Sequence, residues 1–341
     1  MREKWTEERL NALLTAPSDA LTADIAGIDG DIMVLGASGK MGPTLCILAK
    51  NAIEKAGIDK KIYAVARFTD PEAKKQLEDN GIIALTCDLS DTRQLAALPD
   101  CPNIIYMAGR KFGTNGEEWK TWGMNSLVPA FVADRFRGVR YVVFSSGNIY
   151  PRTDISLAGC DEKMPVGPLG EYAESCLARE RTFEYAANTY GAKVFLYRLN
   201  YAIDLRYGVI YDIAAKVAAG KPISLAMPSV NCVWQGYANE IAIRGLLHAA
   251  NPVNIMNVTG PETVSVKKTA LRLGEYLGRE VTFLDDQGED AMLSDASRCM
   301  DVFGYPTVAL NTLIRWQAEW MLDGGRQLDK PTHFEERHGR F

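Results

Sequence analysis

Three glycines at intervals of three residues carry the clearest chemical signal in this chain. Gly36, Gly39 and Gly42 occur in the segment GASGKMG, between a short apolar run and a helix-like stretch. In that setting the first glycine permits a tight turn, the second lets backbone N–H groups approach a pyrophosphate, and the third lets the helix pack closely on the strand. The N-terminus of the helix adds partial positive charge toward the phosphates. The pattern predicts a dinucleotide-binding loop made of Gly36, Ser38, Gly39, Lys40, Met41 and Gly42.

The end of the second apolar run bears on which dinucleotide is bound. A protein that uses NAD usually has an acidic residue there, because its carboxylate binds the ribose 2′-hydroxyl. This chain has Ala66 followed by Arg67, and it has Lys40 in the glycine loop. Two cations and no carboxylate suit a 2′-phosphate, so we expect NADP as the cofactor, with NAD as the alternative.

Short apolar runs alternate with amphipathic stretches from residue 31 onward. Buried strands are predicted at 31–36, 61–67, 82–88, 103–109, 139–146, 192–200 and 253–258. Helices are predicted after the glycine loop to Ala56 and at 70–81, 117–136, 169–190, 209–219, 238–250, 265–278 and 312–322. This alternation indicates an α/β fold with a doubly wound parallel sheet that helices cover on both faces.

The regular alternation of strands and helices weakens after residue 200, which suggests that the chain is divided into domains of unequal size. We expect an N-terminal extension at 1–30 with one short amphipathic helix that Pro17 ends, and a dinucleotide-binding domain at 31–200. Residues 201–322 are expected to form mainly a small α/β substrate domain, with some segments that return to the first domain. Residues 323–341 are expected to form an irregular arm.

The composition and charge exclude several classes of protein. Lys and Arg number 38 against 43 Asp and Glu, a formal net charge of −5, whereas binding to a polyphosphate backbone normally needs a basic excess. The seven cysteines are scattered without a C-x-x-C pair, which argues against a disulfide scaffold and favours a reducing compartment. No apolar run approaches the roughly 18 residues that span a bilayer, and the N-terminus lacks the apolar segment of a secretory signal. We therefore expect a cytoplasmic protein that binds neither nucleic acid nor membrane.

Several segments together resemble the extended branch of the short-chain dehydrogenases/reductases, the NAD-dependent epimerase/dehydratase family. The G-x-x-G-x-x-G loop, SSGNIYP at 145–151 and VTGPETVSVKKTALRLGEYLG at 258–278 occur in the expected order. The resemblance implies a Rossmann domain. It further implies that Asp88 and Leu89 bracket the adenine, that Ala108 and Gly109 line the cofactor, and that Asn125 supports the active site.

The resemblance also implies a catalytic serine, a tyrosine, and a lysine four residues after the tyrosine. Ser146 takes the serine position and hydrogen-bonds the substrate oxygen, while Tyr172 takes the tyrosine position and exchanges the proton. In the family the charge of the lysine lowers the pKa of the tyrosine from about 10. Here that position is Cys176, and a neutral thiol cannot supply the charge.

Three interpretations of Cys176 stay open. In the first, another cation stands in for the lysine, and Arg179 is the candidate because positions 172, 176 and 179 share one helix face. In the second, the fold keeps its nucleotide but has lost hydride chemistry and serves as a regulator or scaffold. In the third, Cys176 is itself reactive, although free cysteines are more often small buried hydrophobic residues.

The substrate is expected to be carbohydrate-like. Asn148 and Asn200 are candidate contacts beside Ser146, and Arg206 is a candidate partner for a substrate carboxylate. Nucleotide-sugar enzymes of the family usually carry a diphosphate-binding arginine before the segment that matches 233–242, and this chain has none there. That favours a smaller sugar, polyol or sugar acid. No metal is expected because the three histidines lack metal-ligand spacing, and the resemblance implies a homodimer.

Overall fold

Seven parallel strands form the central sheet in a computed structural model that describes residues 2–113, 116–284, 286–328 and 330–340. The strands are β1 (Ile32–Leu35), β2 (Ile62–Ala66), β3 (Ile83–Thr86), β4 (Asn103–Tyr106), β5 (Arg140–Ser146), β6 (Lys193–Leu199) and β7 (Asn254–Val258). Their order across the sheet is β7-β6-β5-β4-β1-β2-β3, and every neighbouring pair is parallel. The predicted doubly wound sheet is confirmed. Its strand order reverses between β1 and β4, and ligands bind at such a crevice.

Helices cover both faces of the sheet. They are α1 (Glu7–Leu14), α2 (Asp19–Gly27), α3 (Gly42–Ala56), α4 (Pro71–Asp79), α5 (Thr92–Ala96), α6 (Glu118–Trp122), α7 (Val128–Arg135), α8 (Glu171–Tyr190), α9 (Val209–Ala218), α10 (Gln235–Arg244), α11 (Val266–Leu277), α12 (Ser297–Phe303) and α13 (Leu310–Leu322). In β1, Ile32 and Val34 pack into a cluster with α2, α3 and α10, whereas Met33 and Leu35 pack into one with α5, α7 and α8. Each residue of this strand is buried, as expected for a sheet covered on both faces.

The N-terminal extension holds two helices, not the single helix that was predicted. α1 buries Leu10 and Leu14 in a cluster with elements from the C-terminal part of the chain. α2 begins after Ser18, whose hydroxyl accepts the N–H of Leu21 at 3.0 Å, and it buries Leu21 and Ile25 against the sheet side. Two buried apolar positions in nine residues make a weak periodic signal, so tertiary packing stabilises this helix more than local pattern does.

Short strand pairs and an arm complete the chain beyond β6. The pairs are Thr153–Asp154 with Asp290–Ala291, Ala202–Ile203 with Val233–Trp234, Ile223–Ser224 with Phe283–Leu284, and Ser229–Val230 with Val264–Ser265. The described residues of the arm contain no helix or strand, and the Asp323 carboxylate at its start binds the Arg2 guanidinium at 2.6 Å. Met1, Asp329 and Phe341 lie outside the described residues. The division of the chain into domains stays a prediction.

Candidate active site

The glycine loop 36–42 turns sharply between β1 and α3. Gly36 has a φ of +93°, and a Cβ atom at this position would lie 2.6 Å from the backbone nitrogen of Ala108. A side chain is therefore excluded both by conformation and by space. The N-cap residue of α3, Met41, makes no side-chain cap hydrogen bond, so the N–H groups of Gly42 and Thr44 at the start of the helix have no cap and can meet an anion.

Two cavities meet over this loop and together fit a dinucleotide. Both are lined by Gly36, Gly39, Met107 and Gly109. The β2-side cavity, of about 180 Å³, also has Ser38, Ala66, Arg67, Asp88, Leu89 and Ala108 in its lining. The β5-side cavity, of about 340 Å³, also has Lys40, Met41, Ser146, Asn148, Tyr172 and Asn200 in its lining. The turns that follow β1, β3 and β4 therefore line one groove over the glycine loop.

Lys40 lies in the β5-side cavity and not beside Arg67. Its Nζ is 4.2 Å from the ring centroid of Tyr207 and donates to the carbonyl of Lys330 at 3.3 Å. Burial lowers the pKa of Lys40 to about 8. The expectation that both cations would meet one 2′-phosphate is therefore not supported, and only Arg67 lines the β2-side cavity.

The serine and the tyrosine come together in the β5-side cavity. Tyr172, in the first turn of α8, lines this cavity together with Ser146 at the end of β5, and it packs against Cys176 one turn further along the helix. The Oγ of Ser146 donates to Asn148 Oδ1 at 3.0 Å and accepts the Asn148 N–H at 3.1 Å. Burial raises the pKa of Tyr172 and of Cys176. A protonated, buried thiol lends little support to the reactive-cysteine interpretation.

Arg179 supplies a buried positive charge beneath these two side chains. Its Nη1 donates to the carbonyl of Phe144 at 2.7 Å, and its Nη2 donates to Asn125 Oδ1 at 2.7 Å. Its Nε is buried without a hydrogen-bond partner among the residues described. The charge acts to lower the pKa of Tyr172 and of Cys176, but the opposing effect of burial is larger for both groups.

Asn125 ties the loop after β4 to α8. It lies in a π-helical segment, Gly123–Leu127, between α6 and α7, and such segments often occur at functional sites. Its Oδ1 accepts the Arg110 N–H at 2.8 Å, and its Nδ2 donates to the Arg110 carbonyl at 2.8 Å and to Ser175 Oγ at 2.9 Å. The side chain of Asn125 therefore binds the loop through both backbone groups of one residue, Arg110.

A buried ion pair lies under the β5-side cavity. Arg198 of β6 donates to the two carboxylate oxygens of Glu180 at 2.9 and 2.7 Å, and both side chains are almost completely buried. Glu180 also accepts from Ser145 Oγ at 2.5 Å, and Arg198 donates to the hydroxyl of Tyr150 at 2.6 Å. This network joins β5, β6 and α8, the three elements that carry most of the polar residues of the cavity.

More than half of the sequence matches a known family. The model of the NAD dependent epimerase/dehydratase family matches residues 32–251, which is more than half of the chain. The chain belongs to this family. The glycine loop and the Ser146–Tyr172 pair are therefore parts of an epimerase/dehydratase fold. No curated protein matches the chain in sequence.

Solved structures of epimerases share this fold over most of the chain. UDP-glucose 4-epimerase from Thermotoga maritima, with UDP-glucose, is 15% identical with a TM-score of 0.68, over 86% of this chain and 99% of that one. UDP-glucose 4-epimerase from Thermus thermophilus, with NAD, is 18% identical with a TM-score of 0.68, over 85% and 98%. UDP-glucuronic acid 4-epimerase from Bacillus cereus, with NAD, is 15% identical with a TM-score of 0.66, over 86% and 99%. At these identities the similarity shows the fold alone.

The candidate substrate-binding residues of this epimerase/dehydratase family member lie in two different cavities. Asn148 and Asn200 line the β5-side cavity, whereas Arg206 lines a neighbouring cavity of about 390 Å³ beside α9. The guanidinium of Arg206 pairs with the carboxylates of Asp204 at 2.5 Å and Glu7 at 3.0 Å. Since those carboxylates occupy its donors, the geometry does not favour Arg206 as a contact for a substrate carboxylate.

Several side chains of the β5-side cavity were missed by sequence reasoning. They include Lys111, Phe112, Tyr201 and Thr332. Tyr201 has a φ of +40°, which is uncommon for a bulky residue. Lys111 follows the carboxyl end of β4 by a few residues, and a cation at that edge of the sheet was the available signal. No sequence pattern points to Thr332, because the arm that carries it has no periodicity.

In the part of the chain that the structure describes, no group of three His, Cys, Asp or Glu side chains is arranged to hold a metal ion. Nor does any helix within the described ranges combine the length and the apolar character that crossing a membrane requires. The seven cysteines are free and buried.

Proposed function

We propose that the protein is an NAD(P)-dependent oxidoreductase or epimerase that acts on a hydroxyl or carbonyl group of a sugar, polyol or sugar acid. The observation that carries the proposal is that Tyr172 and Ser146 lie together in the cavity that the glycine loop also lines. A proton carrier, a hydroxyl donor and a dinucleotide-binding loop then face one space of about 340 Å³. That volume suits a small ligand.

The proposed chemistry divides the work between the cofactor and the side chains. A bound nicotinamide supplies or accepts the hydride. The phenolate form of Tyr172 would take the proton from a substrate hydroxyl during oxidation, and the resulting phenol would return it during reduction. Ser146 hydrogen-bonds the same substrate oxygen and orients it, while Asn148 holds Ser146 through two hydrogen bonds. A positioned proton donor of this kind contributes about 10²- to 10⁴-fold in rate.

NADP is the proposed cofactor, with NAD as the alternative. The support is Arg67, which lines the β2-side cavity next to Ala66 at the end of β2, where an NAD-binding protein usually has an acidic residue. Solved relatives of this fold contain NAD, so the two nucleotides must be compared directly.

A sugar-directed substrate is proposed because the solved relatives named above act on UDP-sugars. One observation favours a smaller substrate than a nucleotide sugar, because the arginine expected before segment 233–242 is missing from the sequence.

The alternative function is that of a catalytically impaired dinucleotide-binding regulator or scaffold. It is favoured by Cys176 at the lysine position and by the raised pKa of Tyr172. Calorimetric titration with NAD and NADP, followed by incubation with a panel of sugars, polyols and sugar acids, separates the two functions. Absorbance at 340 nm reports net hydride transfer, and chromatography of the sugars reports epimerisation, which leaves no net reduced cofactor. Binding with neither signal on the whole panel would establish the regulator.

A homodimer and a cytoplasmic location are further proposals. Trp119, Leu127 and Tyr185 are exposed apolar side chains on α6, on the π-helical segment and on α8, which are adjacent elements. Because a contiguous apolar surface favours association, we propose a symmetric pairing of these helices. Light scattering after size-exclusion chromatography should give twice the chain mass for the wild type and the chain mass for Leu127→Glu.

A further inference from the structure

We propose that Lys111, in the loop after β4, supplies the positive charge beside Tyr172 that Cys176 cannot supply. This inference rests on the proposed function, because it concerns the proton carrier of that reaction. Lys111 would be a positioning residue that acts through Tyr172.

The position of the ammonium group carries the inference. The Nζ of Lys111 is 5.5 Å from the ring centroid of Tyr172 and 5.7 Å from that of Tyr201. Lys111 and Tyr172 both line the β5-side cavity. The charge of Lys111 also acts on the thiol of Cys176, whose pKa it lowers against the larger effect of burial. The cation therefore stands close to both members of the Tyr172–Cys176 pair although it comes from a different element.

The loop holds Lys111 in place. Both backbone groups of the preceding residue, Arg110, are hydrogen-bonded to the side chain of Asn125. The residue before that, Gly109, packs so closely on Arg179 that a Cβ atom there would lie 2.6 Å from its Nη2. Lys111 thus extends from a backbone that α8 and the π-helical segment fix, which a charge acting on Tyr172 requires.

Arg179 is another cation near Tyr172, and its charge acts to lower the pKa of Tyr172, but it differs from Lys111 in position. Its guanidinium faces the Phe144 carbonyl and Asn125, and it does not line the β5-side cavity, whereas Lys111 does. An arginine stays charged at every working pH. Burial, and secondarily the charge of Lys40, lower the pKa of Lys111 to about 8, so its charge is present below that pH and is lost above it.

Kinetics of three variants test the inference with a substrate from the panel described above. Lys111→Met should slow hydride transfer about 10- to 100-fold, the effect of one to two units in the pKa of the tyrosine, with dinucleotide affinity little changed. The double variant Lys111→Met/Cys176→Lys should transfer hydride about tenfold faster than Lys111→Met alone.

In the wild type the rate of hydride transfer should fall as the pH rises through about 8, and Lys111→Arg should move that fall to higher pH. Lys61→Met, at an exposed lysine outside the cavity, is the matched control.

A titration decides the inference even without turnover. In protein labelled with ¹⁵N-lysine, the Nζ signal of Lys111 is identified by its loss in Lys111→Arg. Cys176→Lys should lower the pKa of Lys111 by repulsion, whereas Cys176→Ser should leave it unchanged. The inference is overturned if Lys111→Met transfers hydride at the wild-type rate, if Cys176→Lys restores nothing, or if the pKa of Lys111 does not respond to Cys176→Lys. A wild-type protein that transfers no hydride would instead count against the proposed function. The titration would then still test whether the ammonium group of Lys111 lies close to position 176.

Discussion

The side chains of Cys176 and Tyr172 pack against each other across one turn of α8. Both groups are held in their protonated forms, because burial raises the pKa of each. A thiol in this place can accept or share a proton but cannot stabilise a phenolate by charge. The cations that do surround the pair come from elsewhere, Arg179 from the next turn of α8 and Lys111 from the loop after β4.

Replacing Arg67 with alanine should weaken NADP binding. The guanidinium lines the β2-side cavity, and a charge-assisted hydrogen bond is worth about 1.5–3 kcal/mol, which corresponds to a loss of roughly 10- to 100-fold in affinity. NAD, which has no 2′-phosphate, should bind with little change. Calorimetric titration of the wild type, of Arg67→Ala and of Arg272→Ala, at an exposed site on α11, checks this. Equal losses for both nucleotides would contradict a 2′-phosphate contact.

Replacing Glu180 with glutamine should destabilise the whole domain. The carboxylate is fully buried and pairs with the buried Arg198, and removal of one partner from such a pair costs about 3–5 kcal/mol. Glu184, on the same helix, pairs with Arg181 at the surface, where the loss is about 0–1 kcal/mol. Urea unfolding of Glu180→Gln and Glu184→Gln measures the two free energies of unfolding. Similar values for both variants would show that the ion pair is not important for stability.

The affinity for the dinucleotide should decrease as the pH rises through about 8. Burial lowers the pKa of Lys40 to that value, so the ammonium group is charged below it and neutral above it. Because Lys40 lies in the glycine loop, its charge favours binding of an anionic ligand at the lower pH, by roughly threefold to tenfold. Titrations between pH 6.5 and 9.5 should show this decrease in the wild type and a smaller one in Lys40→Met. An affinity that is independent of pH in both proteins would show that the charge of Lys40 does not act on the ligand.

The sheet could be predicted because its signals are local. Ile32–Leu35 is buried at every position, and a continuous apolar run followed by glycines is sufficient to place a strand and its turn. α2 could not be predicted, because Leu21 and Ile25 become informative only through their contacts with α3 and α10. The same is true of the two-residue strand pairs, which have almost no pattern of their own.

The site residues that occupy positions of the family motif could be predicted from the sequence. Those that reach the site from distant segments of the chain could not. The pairing of Tyr172 with Ser146 follows from the family motif and from the order of the strands. The orientation of Lys40 does not follow, since a loop lysine can turn to either side and here it reaches Tyr207. Lys111 and Cys176 are 65 positions apart, and only the fold brings them together. The ion pair of Arg206 could not be predicted, because its partner Glu7 lies in the N-terminal extension.

The rate of hydride transfer in Tyr172→Phe tests the proposed chemistry most directly. With NADP or NAD saturating and the best substrate of the panel, the single-turnover change at 340 nm should slow about 10²- to 10⁴-fold relative to the wild type, while calorimetry shows unchanged dinucleotide affinity. Tyr185→Phe, at an exposed tyrosine on the same helix, should transfer hydride at the wild-type rate. A Tyr172→Phe protein that transfers hydride as fast as the wild type would contradict the assignment of Tyr172 as the proton carrier.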